Sequence, residues 1–178
     1  MMGKNHPKEG SVPVMEITFA QSSHIPGILD LLRQVGQVHH QIRPDLFRPG
    51  AQKYDVPALE AILQDSDRPV LVALNEGKVT GYAFCILQRV QDDPVLRDRK
   101  NLYIDDLCVD ADCRGRGVAS ALYRQVCAYA RDLGCQAVTL NVWCGNDRAM
   151  AFYEKCGLKP QKIGMEYILQ ESGGTYGL

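Results

Sequence analysis

The sequence has almost no excess charge and no long apolar run. Its formal net charge is -1, from 20 Lys and Arg against 21 Asp and Glu in 178 residues, which gives no global field to attract nucleic acid or an anionic membrane. Nowhere do about 18 apolar residues follow one another, as a membrane-spanning helix requires. The first residues lack the apolar core of a signal peptide. These absences argue against nucleic-acid-binding, membrane and secreted proteins.

The cysteines lack the spacing of a metal site or of a disulfide framework. Their number is odd, none belongs to a Cys-x-x-Cys pair, and most fall in apolar runs. They are Cys85, Cys108, Cys113, Cys127, Cys135, Cys144 and Cys156. Because His39 and His40 are far from any cysteine pair, we expect no metal site. Reduced, mostly buried thiols indicate a cytoplasmic protein.

Two common nucleotide-binding motifs are also missing. No Gly-Lys-Ser or Gly-Lys-Thr tripeptide occurs, which excludes a P-loop. A dinucleotide fingerprint requires Gly-x-Gly-x-x-Gly/Ala, whereas Gly115 and Gly117 are followed by Ser120 at the third position. The acidic residue that should end the next strand is absent as well. Hydride transfer with a nicotinamide cofactor is therefore disfavoured.

What the sequence does contain is a regular succession of strands and helices. Alternating apolar residues predict strands, and apolar residues three and four positions apart predict helices. We predict strands at residues 15–20, 69–75, 79–90, 101–110 and 137–143, one or two closing strands within 158–169, and helices at 22–38, 56–64, 117–133 and 146–155. This order predicts an α/β (α+β) fold, in which helices flank a mixed, mainly antiparallel sheet.

One domain is expected over residues 15–170. At this length a single hydrophobic core is stable without a disulfide or a metal. Residues 1–14 contain Lys, Pro and Gly and no apolar stripe, which predicts a disordered leader, either native or added. Residues 171–178 are expected to form a flexible tail.

A turn rich in glycine and arginine joins the fourth predicted strand to the third helix. Gly115 and Gly117 allow the backbone to approach an anion closely. The free amides at the start of the helix point towards that anion with the positive end of the helix dipole. Arg114 and Arg116 add positive charge. The turn has the features of a phosphate cradle, although a solvated turn with two glycines explains the same residues.

Two motifs in this half of the chain resemble those of the GCN5-related N-acetyltransferase (GNAT) family. Arg114-Gly-Arg-Gly-Val-Ala119 matches the Arg/Gln-x-x-Gly-x-Gly/Ala signature, which binds the pyrophosphate of acetyl-CoA in that family. Asn141-Val-Trp-Cys-Gly-Asn-Asp-Arg-Ala-Met-Ala-Phe-Tyr-Glu-Lys-Cys-Gly-Leu158 is similar to the second signature, and the strand Tyr103-Ile-Asp-Asp-Leu-Cys-Val109 is similar to the fourth strand. The family more often has glycine in place of Ala119 and phenylalanine in place of Leu158.

The resemblance implies acetyl-CoA as a co-substrate. The strand before the turn would splay from its neighbour, so that the backbone of Leu107, Cys108 and Val109 binds the pantetheine arm and the thioester carbonyl. A backbone amide directed at that carbonyl would stabilise the developing oxyanion by roughly 3 kcal/mol. The other residues assigned to the coenzyme are Arg114, Gly115, Arg116, Gly117, Val118, Ala119, Ser120, Asn141, Asn146 and Ala149.

Two of these residues have a second explanation. Asn146 is equally well explained as the N-cap of the last helix, and both roles are compatible. Cys108 lacks a recognisable histidine partner in the sequence, so we expect its thiol to pack rather than to act as a nucleophile.

Acetyl transfer to an amine requires a base and an acid. An amine with a pKa near 10 must lose a proton before it attacks, and the leaving thiolate benefits from receiving one. Tyr153 matches the general acid of the family. Asp105 occupies the place of a glutamate in the polyamine-type members, and is either the base or an anchor for the acceptor ammonium. Asp106 or water is the alternative base.

Strand alternation should place these two aspartates on opposite faces of the sheet. Only one of them would then line the cleft well. The expected arrangement puts Asp105 with Leu107 and Val109, and Asp106 with Ile104 and Cys108.

The expected function is N-acetyl transfer to a primary amine by direct attack in a ternary complex. The alternative is a non-catalytic module that binds or senses acyl-CoA or a small ligand, but Tyr153 and an acidic strand residue favour the enzyme. The acceptor is a small-molecule or peptide amine. Six carboxylates are compatible with a cationic acceptor such as a polyamine or an aminoglycoside: Asp45, Asp55, Asp92, Asp93, Asp105 and Asp106.

The surroundings of the acceptor are less well defined by the sequence. The family's acceptor wall would contain His39, His40 and the loop at residues 43–45, and Trp143 is explained equally well as a cleft residue or as a core residue. Met165, Tyr167 and Ile168 are expected on an exposed edge strand, through which a homodimer could form.

Overall fold

The computed structural model describes residues 15–169, so the expected leader (1–14) and tail (171–178) lie outside the described residues. The strands are β1 Glu16–Phe19, β2 Val70–Asn75, β3 Lys78–Val90, β4 Arg99–Val109 and β5 Ala137–Leu140. The helices are α1 Ile25–Ile42, α2 Val56–Leu63, α3 Val118–Asp132 and α4 Asp147–Lys155. The four predicted helices and the first five predicted strands are all present, and their ends differ from the prediction by a few residues.

The element boundaries follow local sequence signals. Pro26 lies in the first turn of α1, and the Asp55 carboxylate caps α2 by accepting a hydrogen bond from the Ala58 amide at 2.9 Å. The β2–β3 hairpin turns through Glu76 and Gly77, which both have positive φ. The predicted start of α1 at residue 22 is wrong, because residues 22–24 form a separate 3-10 turn before that helix.

The sheet has the strand order β1-β2-β3-β4-β5. Strands β1 to β4 pair in antiparallel fashion, and β4 pairs with β5 in parallel. The predicted fold class is therefore confirmed. The single parallel pair is connected through α3, as the crossover between parallel strands requires.

Two apolar clusters cover the two faces of the sheet. On one face, α1 and α2 pack against inward-facing residues that include Val72 and Tyr82. On the other face, α3 packs through Leu122 and Val126 against residues that include Ala83. Full burial of a large aliphatic side chain contributes about 1.5–3 kcal/mol, so these clusters hold the sheet rigidly at its centre.

The predicted closing strands are wrong for the described residues 158–169, which contain no strand. Helix α4 ends at Lys155, as predicted, and Gly157 follows it with a φ of 90°. Beyond it, Ile163, Met165 and Tyr167 are 81%, 90% and 86% exposed. Alternating apolar residues favour a strand, but a strand also needs a neighbour that completes its backbone hydrogen bonds.

The described chain forms two compact units, which divide between Asn146 and Asp147. The first unit contains the whole sheet and helices α1 to α3, and the second contains α4. Within residues 15–169, every helix is too short or too polar to cross a membrane.

Candidate functional site

The N-terminus of α3 is open and rich in unpaired amides. Gly115 and Gly117 have φ values of 77° and 83°, in the left-handed region that glycine adopts without strain. Apart from the glycine itself and its two chain neighbours, no described residue has an atom within 4 Å of a Cβ placed on either position. Among the described residues, no side chain caps α3, so the amides of its first turn have no intrahelical partner. Such a helix end attracts an anion.

The turn that leads into α3 is fastened to the sheet. The Asp110 amide donates to the Thr80 carbonyl at 2.9 Å, and the Arg114 Nε donates to the Val109 carbonyl at 3.3 Å. Arg114 therefore uses one of its N–H groups to hold the end of β4. Arg116, in contrast, is exposed beside the open helix end. The backbone of the turn is thus held in place before any ligand binds.

Strands β4 and β5 separate where the coenzyme was expected to bind. Their parallel pairing runs from Asn101 with Ala137 to Ile104 with Leu140, where β5 ends. β4 continues to Val109 with only β3 beside it in the described part of the chain. One edge of residues 105–109 therefore has backbone groups that no strand of the described sheet completes. This is the splay that the resemblance implied.

A β-bulge in β4 changes the direction of the two aspartates. Phe84 pairs with Asp106 and the next residue of β3 pairs with Ile104, so Asp105 is an extra residue in the ladder. Such a bulge shifts the alternation of side chains. Ile104 packs in the cluster under α3, together with Leu107 and Val109.

Both aspartates lie on the opposite face, towards α1 and α2. Asp105 contacts Tyr54, which packs against the α1/α2 cluster, and Asp106 contacts Tyr82, a member of that cluster. The expectation that Asp105 shares a face with Leu107 is therefore wrong. The bulge, which alternation cannot reveal, is the reason.

Asp105 is held by partners from the loop between α1 and α2. Lys53 Nζ donates to Asp105 Oδ2 at 2.7 Å, and the Tyr54 hydroxyl donates to the same oxygen at 3.2 Å. Arg68 in turn donates to the Tyr54 hydroxyl at 3.1 Å. The candidate base is therefore the centre of a network with two cations.

This network also affects how its members titrate. Partial burial on its own would lower the pKa of Lys53, but the hydrogen bond that Lys53 donates to Asp105 and the charge of that carboxylate outweigh burial and raise the pKa. Burial raises the pKa of the Tyr54 phenol, and the neighbouring carboxylate raises it further. Lys53 is therefore a stable cation next to Asp105.

Asp106 is in a very different environment from Asp105. The Tyr82 hydroxyl donates to Asp106 Oδ2 at 2.8 Å, and burial raises the pKa of this carboxyl above its usual value. Nearby, the buried Cys108 thiol donates to the Leu31 carbonyl at 3.6 Å. Burial raises the pKa of Cys108 to about 12, which supports packing rather than nucleophilic chemistry.

An aromatic cluster joins the α1–α2 loop to the segment after β5. Phe47 contacts Trp143 edge-to-face with ring centroids 5.3 Å apart, and contacts His39 at 5.0 Å. The Phe47 carbonyl lies 2.7 Å from His40 Nδ1, and the Arg43 guanidinium lies 5.9 Å from the centre of the Trp143 ring. Trp143 is 42% exposed, so it is not a core residue.

Several of the expected acidic residues already have partners. Asp45 forms a bidentate pair with Arg43, Asp55 caps α2, and Asp93 accepts from two backbone amides of its own loop. In the described part of the chain, no group of His, Cys, Asp and Glu side chains could hold a metal ion. Asp45, Asp55 and Asp93 are therefore engaged with partners close to them in the chain.

The remaining predicted site residues fall in different parts of the chain. Asn141 Nδ2 donates to the Tyr103 hydroxyl at 3.2 Å, and the Asn146 amide donates to the Trp143 carbonyl at 3.0 Å. Ala149 and Tyr153 lie on α4, in the second unit, where the Tyr153 ring packs against Phe152 with centroids 5.1 Å apart. The first unit thus brings together the open helix end, the splayed strand and Asp105.

A comparison with known families decides the family of this chain. The sequence profile of the acetyltransferase (GNAT) family matches residues 37–158. The chain belongs to this family.

Individual GNAT relatives agree in sequence and in fold. Over 97 residues, the chain is 40% identical to human N-acetyltransferase 8, in a match that covers 54% of this chain and 40% of that protein. A mutant protein from Bacillus halodurans has a TM-score of 0.84 at 31% identity, which covers 87% of this chain and 99% of that one. An aminoglycoside N-acetyltransferase in complex with CoA has a TM-score of 0.67 at 17% identity, covering 90% and 97%, and shows a similarity of fold.

Sequence reasoning missed three members of the GNAT candidate site, namely Lys53, Tyr54 and Arg68. No motif marks them, and Lys53 is 52 residues away from Asp105 along the chain. A lysine and a tyrosine that follow a segment with proline and glycine are ordinarily interpreted as solvent-exposed residues. The packing of the α1–α2 loop against β4 brings Lys53 and Tyr54 to Asp105, and Arg68 reaches Tyr54 from the segment between α2 and β2.

Proposed function

We propose that this protein is an N-acetyltransferase that moves the acetyl group of acetyl-CoA to a primary amine by direct attack in a ternary complex. The observation that carries the proposal is the open N-terminus of α3 immediately after the splayed end of β4. The first feature suits a pyrophosphate, and the second offers free backbone groups to an amide-rich arm. Membership of the family supports the same assignment.

The coenzyme site in this proposal consists mostly of backbone. Amides of the turn at Gly115 to Gly117 and of the first turn of α3 bind the pyrophosphate, and Arg116 supplies positive charge. Backbone groups of Leu107 to Val109 bind the pantetheine arm and the thioester carbonyl. An amide that already points at the carbonyl oxygen stabilises its developing charge without reorganisation.

Two side chains handle the protons. Asp105 accepts the proton of the acceptor ammonium or anchors the ammonium, and Tyr153 donates a proton to the departing sulfur. The nitrogen then bonds to the acetyl carbon as the carbon–sulfur bond breaks, and the products are the acetylated amine and CoA. For Tyr153, the support is its match to the family motif.

The free thiols support a reducing, cytoplasmic location. All seven cysteines are free in the described structure, and cytoplasmic proteins keep their thiols reduced. The proposed acceptor is a small-molecule or peptide amine. We also propose that the apolar residues after α4 pair with those of a second copy of the chain and so form a homodimer.

An amine-panel assay tests the proposed function. Acetyl-CoA is mixed with the protein and with single amines, and thiol release is followed after correction for the protein's own cysteines, while mass spectrometry detects the acetylated amine. We expect release that depends on an amine and yields its acetylated form. Tight CoA binding without release above hydrolysis would instead support the sensing module.

A further inference from the structure

The Lys53–Asp105 ion pair places opposite charges side by side at the proposed acceptor position. The two groups are 2.7 Å apart, and their side chains are 44% and 19% exposed. Lys53 therefore reaches solvent while it covers the carboxylate. Arg68 adds a second positive charge through the Tyr54 hydroxyl, which connects it to the same Asp105 oxygen.

This arrangement disfavours an acceptor that is only a cation. Lys53 forms its ion pair with Asp105, while Asp106, the next residue in the chain, also attracts Lys53 through its charge. An ammonium that binds Asp105 must displace Lys53, which then loses its counter-charge. A simple cationic amine therefore gains one ion pair at the expense of another.

A zwitterion avoids that cost by exchanging partners. Its ammonium takes the place of Lys53 at Asp105, and its carboxylate takes the place of Asp105 at Lys53. Every charge keeps a charged hydrogen-bond partner, and such hydrogen bonds are roughly twice as strong as neutral ones. The ligand that best matches the adjacent Lys53 ammonium and Asp105 carboxylate therefore carries a carboxylate and an ammonium next to each other.

We propose that the acceptor is an amino acid, or a close relative of one, whose carboxylate lies next to the amine that is acetylated, and that Lys53 binds this carboxylate. The inference rests on the proposed function. It makes Lys53 a specificity residue, which selects acceptors with an anionic group and against polycations.

The test compares acceptors that differ in one carboxylate. Each of several α-amino acids is measured beside its methyl ester and beside the amine left by its decarboxylation, for example phenylalanine, its ester and phenethylamine. The measured quantity is the ratio of kcat/KM between acid and amine. This ratio is determined for wild type, Lys53→Met and Lys53→Arg. The intrinsic difference in reactivity between the two acceptors is the same for every protein, so it cancels when the ratios of two proteins are compared.

We expect wild type to favour the amino acid, and Lys53→Met to lower the acid-to-amine ratio at least tenfold. Lys53→Arg should retain most of the preference, because it keeps the charge. The control is Arg89→Met, which removes one cation from another exposed ion pair, Arg89 with Asp67 at 2.7 Å. It should leave the ratio unchanged.

Two results would overturn the inference while the proposed function stands. One is a wild-type preference for the decarboxylated amines, and the other is an acid-to-amine ratio that Lys53→Met does not alter. A protein that acetylates no amine of the wider panel would refute the proposed function itself, together with this inference. Circular dichroism of each variant identifies any loss of fold.

Discussion

Tyr153 is the single residue whose proposed role has the sharpest kinetic signature. If its hydroxyl protonates the leaving thiolate, Tyr153→Phe should lower kcat by roughly 10²-fold or more, the usual size of an acid–base contribution. The affinity for acetyl-CoA should change little. Steady-state kinetics and a CoA titration measure the two quantities.

A tyrosine on another helix provides the control. Tyr129 on α3 packs against Phe19 with ring centroids 5.0 Å apart, and Tyr129→Phe keeps that ring. Its turnover should equal that of wild type. Wild-type turnover in Tyr153→Phe, under conditions where chemistry is rate-limiting, would assign the proton to solvent or to another group.

The burial of Asp106 predicts how the stability of the folded protein changes with pH. Burial raises the pKa of this carboxyl, so folding penalises its ionised form. Below the unfolded value of 3.8 both states are protonated and no penalty exists, but wild type loses stability as the pH rises through that value towards the folded pKa. Asp106→Asn still accepts from the Tyr82 hydroxyl, so it should be more stable than wild type at neutral pH.

Urea unfolding across the pH range measures this difference. The gain from Asp106→Asn should disappear as the pH falls below 3.8, the unfolded value. Asp67→Asn is a control of opposite sign, because the hydrogen bond from Arg89 lowers the pKa of Asp67 and favours its ionised form. A neutral-pH loss of stability in Asp106→Asn would show that the fold needs the charged carboxylate.

At the scale of elements, the N-terminus of α3 is the feature to test. Gly117→Glu places a side chain and a negative charge at the proposed pyrophosphate position, so CoA binding should be lost. The control is Gly134→Glu, because Gly134 follows the other end of the same helix and has a φ of 69°. Both variants therefore carry the backbone strain of a left-handed residue, about 1–2 kcal/mol.

Calorimetric titration with CoA distinguishes the two glycine variants. Gly134→Glu should bind CoA as wild type does, because it lies at the other end of the helix. Unchanged affinity in a folded Gly117→Glu protein would remove the phosphate site from α3.

The contact of α1 with the following loop sets the position of Lys53. A Cβ on Gly36 would lie 2.5 Å from the Ala51 carbonyl oxygen, which is too close for the backbones to remain in place. Gly36→Ala should therefore destabilise the protein by about 1–3 kcal/mol, as overpacking does, although alanine favours a helix by about 1 kcal/mol.

Displacement of this loop should also raise the acceptor KM and leave the acetyl-CoA KM unchanged. Urea unfolding and steady-state kinetics supply the two measurements. Gln37→Ala, at an exposed position of the same helix, is the matched control. A Gly36→Ala protein that is more stable than wild type would show that the loop moves away at no cost.

These elements also show how far sequence reasoning extends. Helices and strands follow from periodicity and from residues such as Pro26, Gly77 and Gly157, because these act through local backbone conformation. The glycine turn before α3 is equally local. The bulge at Asp105 is not, since one extra residue in a ladder depends on the partner strand.

Non-local contacts account for the other differences. The partners of Asp105 come from a loop without a motif, and its pairing with Lys53 exists only in the folded chain. Alternation near Met165 predicted a strand, but in the described residues no neighbour pairs with it. Local patterns therefore predict the elements and the glycine turn before α3, whereas the partners of Asp105 require the tertiary structure.

For the whole molecule, the first unit presents the proposed coenzyme site and the proposed acceptor group in sequence along one strand and its turn. Asp105 lies in β4, residues 107–109 end it, and the turn to α3 follows directly. This order favours one complex that holds both substrates at once. The buried thiol of Cys108, with its pKa of about 12, is poorly suited to carry an acetyl group between separate steps.

Initial rates measured while both acetyl-CoA and an accepted amine are varied test this central claim most directly. Direct transfer in a ternary complex predicts double-reciprocal lines that intersect, and no acetylated protein when acetyl-CoA is supplied alone. Parallel lines, together with an acetyl group on a cysteine of the protein, would contradict direct transfer and would establish a covalent intermediate instead.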